Sequence, residues 1–109
     1  MKFLVELDHV KTGQPLNKDS ARAFVEGIIF PTIDRAKQLV KEGRIVAGGP
    51  VIGRVALRFI ADVESPQKLD QLVTSLPLWT VAETRVTPLM GFNDRRTHIQ
   101  ALLDRIMNS

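Results

Sequence analysis

Cysteine is absent from the 109 residues, so thiol chemistry, disulfide stapling and cysteine-based zinc sites are excluded from the outset. Histidine is scarce as well. His9 and His98 are the only imidazoles, too few for a His-rich metal centre, and no metal or cofactor is expected. Aromatic residues make up 6% of the chain, and the basic residues are not interleaved with stacking platforms, which argues against a nucleic-acid partner. No apolar run approaches the length of a membrane span. The N-terminal segment Phe3-Leu4-Val5 meets Glu6 too early for a signal-peptide core, so a soluble, cytoplasmic protein with no membrane partner is expected. What the chain does have is 44% apolar residues and a net charge of +3, the composition of one globular domain with a single core. The basic excess is concentrated: Arg35, Lys37, Lys41, Arg44, Arg54 and Arg58 face only Glu42 in that window.

Periodicity divides the chain into alternating element types. Phe3, Val5 and Leu7 alternate with Lys2, Glu6 and Asp8 as a first strand, with Leu4 breaking the polar side. Turn residues fill 12–17, and Asp19 or Ser20 is placed to cap a helix carrying Phe24, Ile28, Ala36 and Leu39 on one stripe and closing at Gly43. Pro31 predicts a kink or break inside it. A second strand opens at Arg44 and is interrupted by Gly48-Gly49-Pro50, as suits an edge or a bulge. A third runs from Val55 to Asp62. Ser65-Pro66 starts a second helix through Leu69, Leu72 and Val73 that Pro77 stops. A fourth strand is expected from Trp79 to Leu89, followed by an amphipathic helix capped by Asn93 or Asp94, with Ile99, Leu102, Leu103 and Ile106 in one stripe.

That order predicts an α+β, ferredoxin-like βαββαβ domain over 1–92 with an added C-terminal helix over 93–109 that clasps a neighbour. Helices cover one sheet face. The other carries Leu4, Glu6, Asp8, Ala56, Arg58, Ile60, Val81, Glu83 and Arg85, and its apolar members call for a cover. A second copy pressed face to face supplies one, giving a dimeric α+β barrel with a charged lumen.

Several local patterns resemble the dimeric α+β barrel superfamily, and the muconolactone delta-isomerase family within it. They are Lys41-Glu42-Gly43 closing the first helix, Gly53 in the hairpin, Ala61-Asp62-Val63 ending the third strand, and Leu76-Pro77-Leu78-Trp79 leading to Val86-Thr87-Pro88-Leu89. Gly43 followed by Ala47-Gly48-Gly49-Pro50 is similar to the YciI-like family. The chain departs from both: Gly48-Gly49-Pro50 stands where the isomerases carry aromatic and basic residues, Gly91-Phe92-Asn93 where they carry a His-Pro pair, and Leu76 where YciI-like proteins place Asp.

The isomerase resemblance implies an intramolecular isomerase of aromatic-compound catabolism that moves a proton along a small lactone acid without a cofactor. Such chemistry needs a base, a group to stabilise the enolate, and a cation to anchor a carboxylate. The second face offers Glu83 or Glu6 as base, Arg85 as the stabiliser of developing charge and Arg58 as a carboxylate clamp, with Asp8 beside them. His9 at the strand end, Trp79 and the side-chain-free Gly48 and Gly49 are candidate binding residues. The same charges can instead pair across a sheet interface, making a non-catalytic binding or assembly module. A cofactor-free oxygenase acting on an aromatic substrate is the further alternative.

Overall fold

The computed structural model describes residues 1–11 and 17–109, so most of the turn expected at 12–17 lies outside the described residues. Strand β1 (Lys2–His9) is followed by helix α1 (Lys18–Phe24), a π-helical turn (Val25–Ile29) and helix α2 (Phe30–Lys41). Strands β2 (Ile45–Pro50) and β3 (Ala56–Asp62) lead to helix α3 (Pro66–Thr74). A 3-10 turn (Pro77–Val81), strand β4 (Ala82–Leu89) and helix α4 (Phe92–Met107) complete the chain. The sheet order is β2-β3-β1-β4, antiparallel throughout, which is the ferredoxin-like arrangement expected. None of the described helices is long and apolar enough to cross a membrane.

Local chemistry explains the element boundaries. The Asn17 side chain, not Asp19, caps α1: it accepts from the Ser20 amide while the Ser20 hydroxyl accepts from the Asn17 amide, a reciprocal capping box. Pro31 lacks a donor, and its ring would press on the carbonyl one turn back. The preceding turn widens instead, with the Phe30 amide donating to the Val25 carbonyl, so the helical run continues through Pro31. Ser65 caps α3 through the Lys68 amide, as expected. The expected start of the fourth strand at Trp79 is corrected: Pro77 seeds a 3-10 turn that holds Trp79 and Val81, and pairing begins at Ala82. Val81 consequently packs against the core instead of facing the open side of the sheet. The last helix begins at Phe92 with Gly91 as its cap residue, and neither Asn93 nor Asp94 caps it.

The core lies between one sheet face and α2 and α3. Val5, Leu7, Phe59, Ala61, Leu39 and Leu76 are its most completely enclosed side chains. Thr32 is the buried polar member, and its hydroxyl oxygen accepts from the Leu78 amide at 2.9 Å, tying α2 to the 3-10 turn. Helix α4 buries no residue. The molecule measures 68 × 31 × 24 Å, and its radius of gyration is 18.4 Å, against about 13 Å for a compact chain of this length.

Candidate functional site

Strand parity puts Glu6, Asp8, Arg58, Glu83 and Arg85 on the face away from the helices, and the register makes them neighbours. Glu6 stands opposite both Arg58 and Arg85, and Asp8 stands opposite Glu83. Arg58 is the hub. Its Nε lies 3.2 Å from Glu6 Oε1, and its Nη2 donates to Asp8 Oδ1 and Oδ2 at 3.0 and 3.1 Å. Its Nη1 donates to the Leu57 carbonyl at 3.1 Å. With 28% of its side chain exposed, the guanidinium is held on several sides, which fixes its plane more firmly than a single surface pair would.

Glu83 and Arg85 differ from this group. Both are exposed, and neither makes an ion pair with any of the described residues. The face therefore holds an anchored cluster beside an uncommitted carboxylate and an uncommitted guanidinium. One member was not singled out from the sequence. Arg54, in the β2–β3 turn, reaches Asp8 with Nη2 to Oδ1 at 3.2 Å. The signal existed, since Arg54 has the parity of Arg58, but a turn residue carries no strand periodicity of its own.

Other candidates fall elsewhere. The odd position of His9 points it to the helix side, where its ring packs on Phe24 with centroids 4.8 Å apart. Trp79 sits half-exposed in the 3-10 turn. Gly48 and Gly49 line a cavity of about 350 Å³ between α2 and the β2–β3 pair, on the side of the sheet opposite the Arg58 cluster. Gly49 on β2 pairs with Arg58 on β3 in the register, so the two features meet on adjoining strands. Among the described residues no group of His, Asp and Glu is arranged to hold a metal ion.

A four-stranded ferredoxin-like sheet with helices on one face and a charge-balanced polar set on the other defines a small α+β protein with one sheet face left open. Residues 1–95 match the family model for muconolactone delta-isomerase, and the chain belongs to that family. No curated protein matches the chain in sequence. Among solved structures, a muconolactone isomerase is similar in fold at 24% identity and a TM-score of 0.66, over 84% of this chain and 90% of that one. So is a 5-chloro-2-hydroxyhydroquinone dehydrochlorinase from Burkholderia phenoliruptrix AC1100, in complex with 2,5-dihydroxybenzoquinone, at 17% identity and a TM-score of 0.63. That likeness covers 86% of this chain and 98% of the other.

Proposed function

We propose that the chain is a cofactor-free intramolecular isomerase that shifts a proton on a small unsaturated organic acid or lactone, in a chamber made by two copies meeting through their open sheet faces. The observation that carries the proposal is the uncommitted pair Glu83 and Arg85 beside a fixed Arg58, in a chain whose residues 1–95 match the isomerase family. Arg58 already pairs with Glu6 and donates to Asp8, so the carboxylate clamp passes to Arg85, and Arg58 serves as the fixed positive group near the developing enolate. The Glu83 carboxylate takes the proton from the carbon next to the carbonyl, the electron pair moves into the conjugated system, and the resulting Glu83 acid returns the proton at the far carbon. No electron is gained or lost.

Face-to-face association excludes water from this set and strengthens each electrostatic contact. Helix α4, with Ile99, Leu103 and Ile106 exposed on one stripe, is proposed as the clasp that holds neighbouring copies, and a cytoplasmic setting belongs to the same proposal. The competing reading draws on the Arg58–Glu6–Asp8 pairs, which on their own suit a structural interface. Glu83→Gln separates the two. Proton exchange and isomerisation of muconolactone, followed by proton NMR in D2O, should fall at least about 100-fold with assembly and circular dichroism unchanged. An unchanged rate, or loss of assembly along with activity, would instead make the charges structural.

A further inference from the structure

A second hollow, of about 510 Å³, lies where the α2–β2 turn faces the first turns of α3. Its volume falls in the range of small-molecule sites. None of its lining residues belongs to the Arg58 cluster or to the cavity lined by Gly48 and Gly49, so it takes no part in the proton shift proposed above.

The wall carries cations at Arg35, Arg44 and Lys68 and carboxylates at Glu42, Asp62 and Glu64, and internal pairing engages them unequally. Arg44 Nε lies 3.5 Å from Glu42 Oε2, and Asp62 Oδ1 lies 3.4 Å from the N-terminal ammonium. Arg35 uses only Nε, which donates to the Ser75 hydroxyl at 3.1 Å, and its Nη atoms have no partner among the described residues. Lys68 and Glu64 form no ion pair with any described residue. Two cations and one carboxylate are therefore left uncommitted.

Their placement along α3 is ordered. Lys68, Gln71 and Ser75 follow one another on one helix face, with the Gln71 side chain in the middle. Ser75, where Arg35 is held, and Lys68 stand about 10 Å apart along the axis at about 1.5 Å per residue. Glu64 precedes the helix, at the Lys68 end.

From this the geometry points to a binding site for a dicarboxylic α-amino acid of the size of glutamate. Its α-carboxylate meets Lys68, its α-ammonium meets Glu64, and its side-chain carboxylate meets the free Nη atoms of Arg35. The ligand carries the inverse of the uncommitted charges. Carboxyl groups separated by about 5 Å of carbon chain, with about 3 Å of ion pair at each end, cover the span between the two cations. Contacts this exposed are screened, so the affinity is weak and falls with salt.

Nitrogen–proton correlation NMR of the full chain, titrated with L-glutamate at low ionic strength, reads the site directly. Resonances of Lys68 and Gln71 should shift, with an affinity at least about tenfold above that of glutamine, which lacks the second carboxylate, and of glutarate, which lacks the ammonium. Lys68→Gln should weaken glutamate about tenfold. Glu64→Gln should weaken glutamate and leave glutarate no weaker, which ties that carboxylate to the ammonium. Both variants replace exposed side chains and should keep the parent melt. Equal affinities for glutamate and glutarate would overturn the proposal, as would an undiminished affinity in Lys68→Gln. Shifts confined to the cavity lined by Gly48 and Gly49, or an equal response to sodium chloride at matched ionic strength, would overturn it too. Each outcome is read without turnover, so it stands apart from the fate of the isomerase proposal.

Discussion

A side chain at Gly48 would strike the Arg58 carbonyl oxygen and come within 2.5 Å of Phe59 Cα, at a backbone φ of +114° that L residues rarely adopt. Gly49, next in sequence, has open space where its Cβ would be. Gly48→Ala should therefore cost about 2 kcal/mol or more in urea unfolding, and Gly49→Ala should stay within about 0.5 kcal/mol of the parent. The edge position of these two glycines was legible in the sequence, because Pro50 follows them, but the interruption expected there is corrected: β2 pairs with β3 through Pro50, and its register shift falls earlier, between Ile45 and Ala47. Their division into an obligatory and a dispensable one was not legible, since it depends on how closely β3 passes. The same holds for the charged set. Alternation along β1, β3 and β4 was enough to gather Glu6, Asp8, Arg58, Glu83 and Arg85 on one face, but only the register decides that Arg58 is taken by Glu6 and Asp8 while Glu83 and Arg85 are left over.

Between elements, the decisive contact is a single hydrogen bond. Thr32 on α2 accepts the Leu78 amide of the 3-10 turn inside the core, where a lost partner is not replaced by water. Thr32→Val keeps the shape and removes the acceptor, so it should lower stability by about 1–3 kcal/mol in equilibrium denaturation, whereas Thr32→Ser should recover most of that. The 3-10 turn itself escaped the sequence because a five-residue turn has no periodicity to detect, and Val81 was drawn into the strand with it. Pro31 was visible as a fault in a long helical pattern. The form of the repair was not, because a π-helical turn and a kink answer the same missing donor. Where hydrophobic periodicity spans several turns or a full strand, the sequence and the structure agree closely: β3 begins one residue later than expected, and α3 ends at Thr74, two residues short of the stop expected at Pro77.

Over the whole molecule, shape is the informative quantity. A folded body with a helix that buries none of its residues gives the 68 Å long axis, and an amphipathic helix of this length is marginal in water without a partner. Sedimentation of the full chain should accordingly give a dimer or a larger even assembly. A chain ending at Met90 should keep its cooperative melt and its sheet spectrum, because no core residue is lost, while its assembly shifts toward smaller species. A full-length monomer at micromolar concentration would contradict both the face-to-face chamber and the clasp. The amphipathic stripe of α4 was readable from its spacing; that the helix stands clear of its own domain follows only from the three-dimensional arrangement.

The outermost strands, β2 and β4, each contain a proline, Pro50 and Pro88, which cannot donate to an incoming strand. Ribbon-like growth along either rim is thus interrupted, and the polypeptide is steered away from cross-β fibrils even when crowded or partly unfolded.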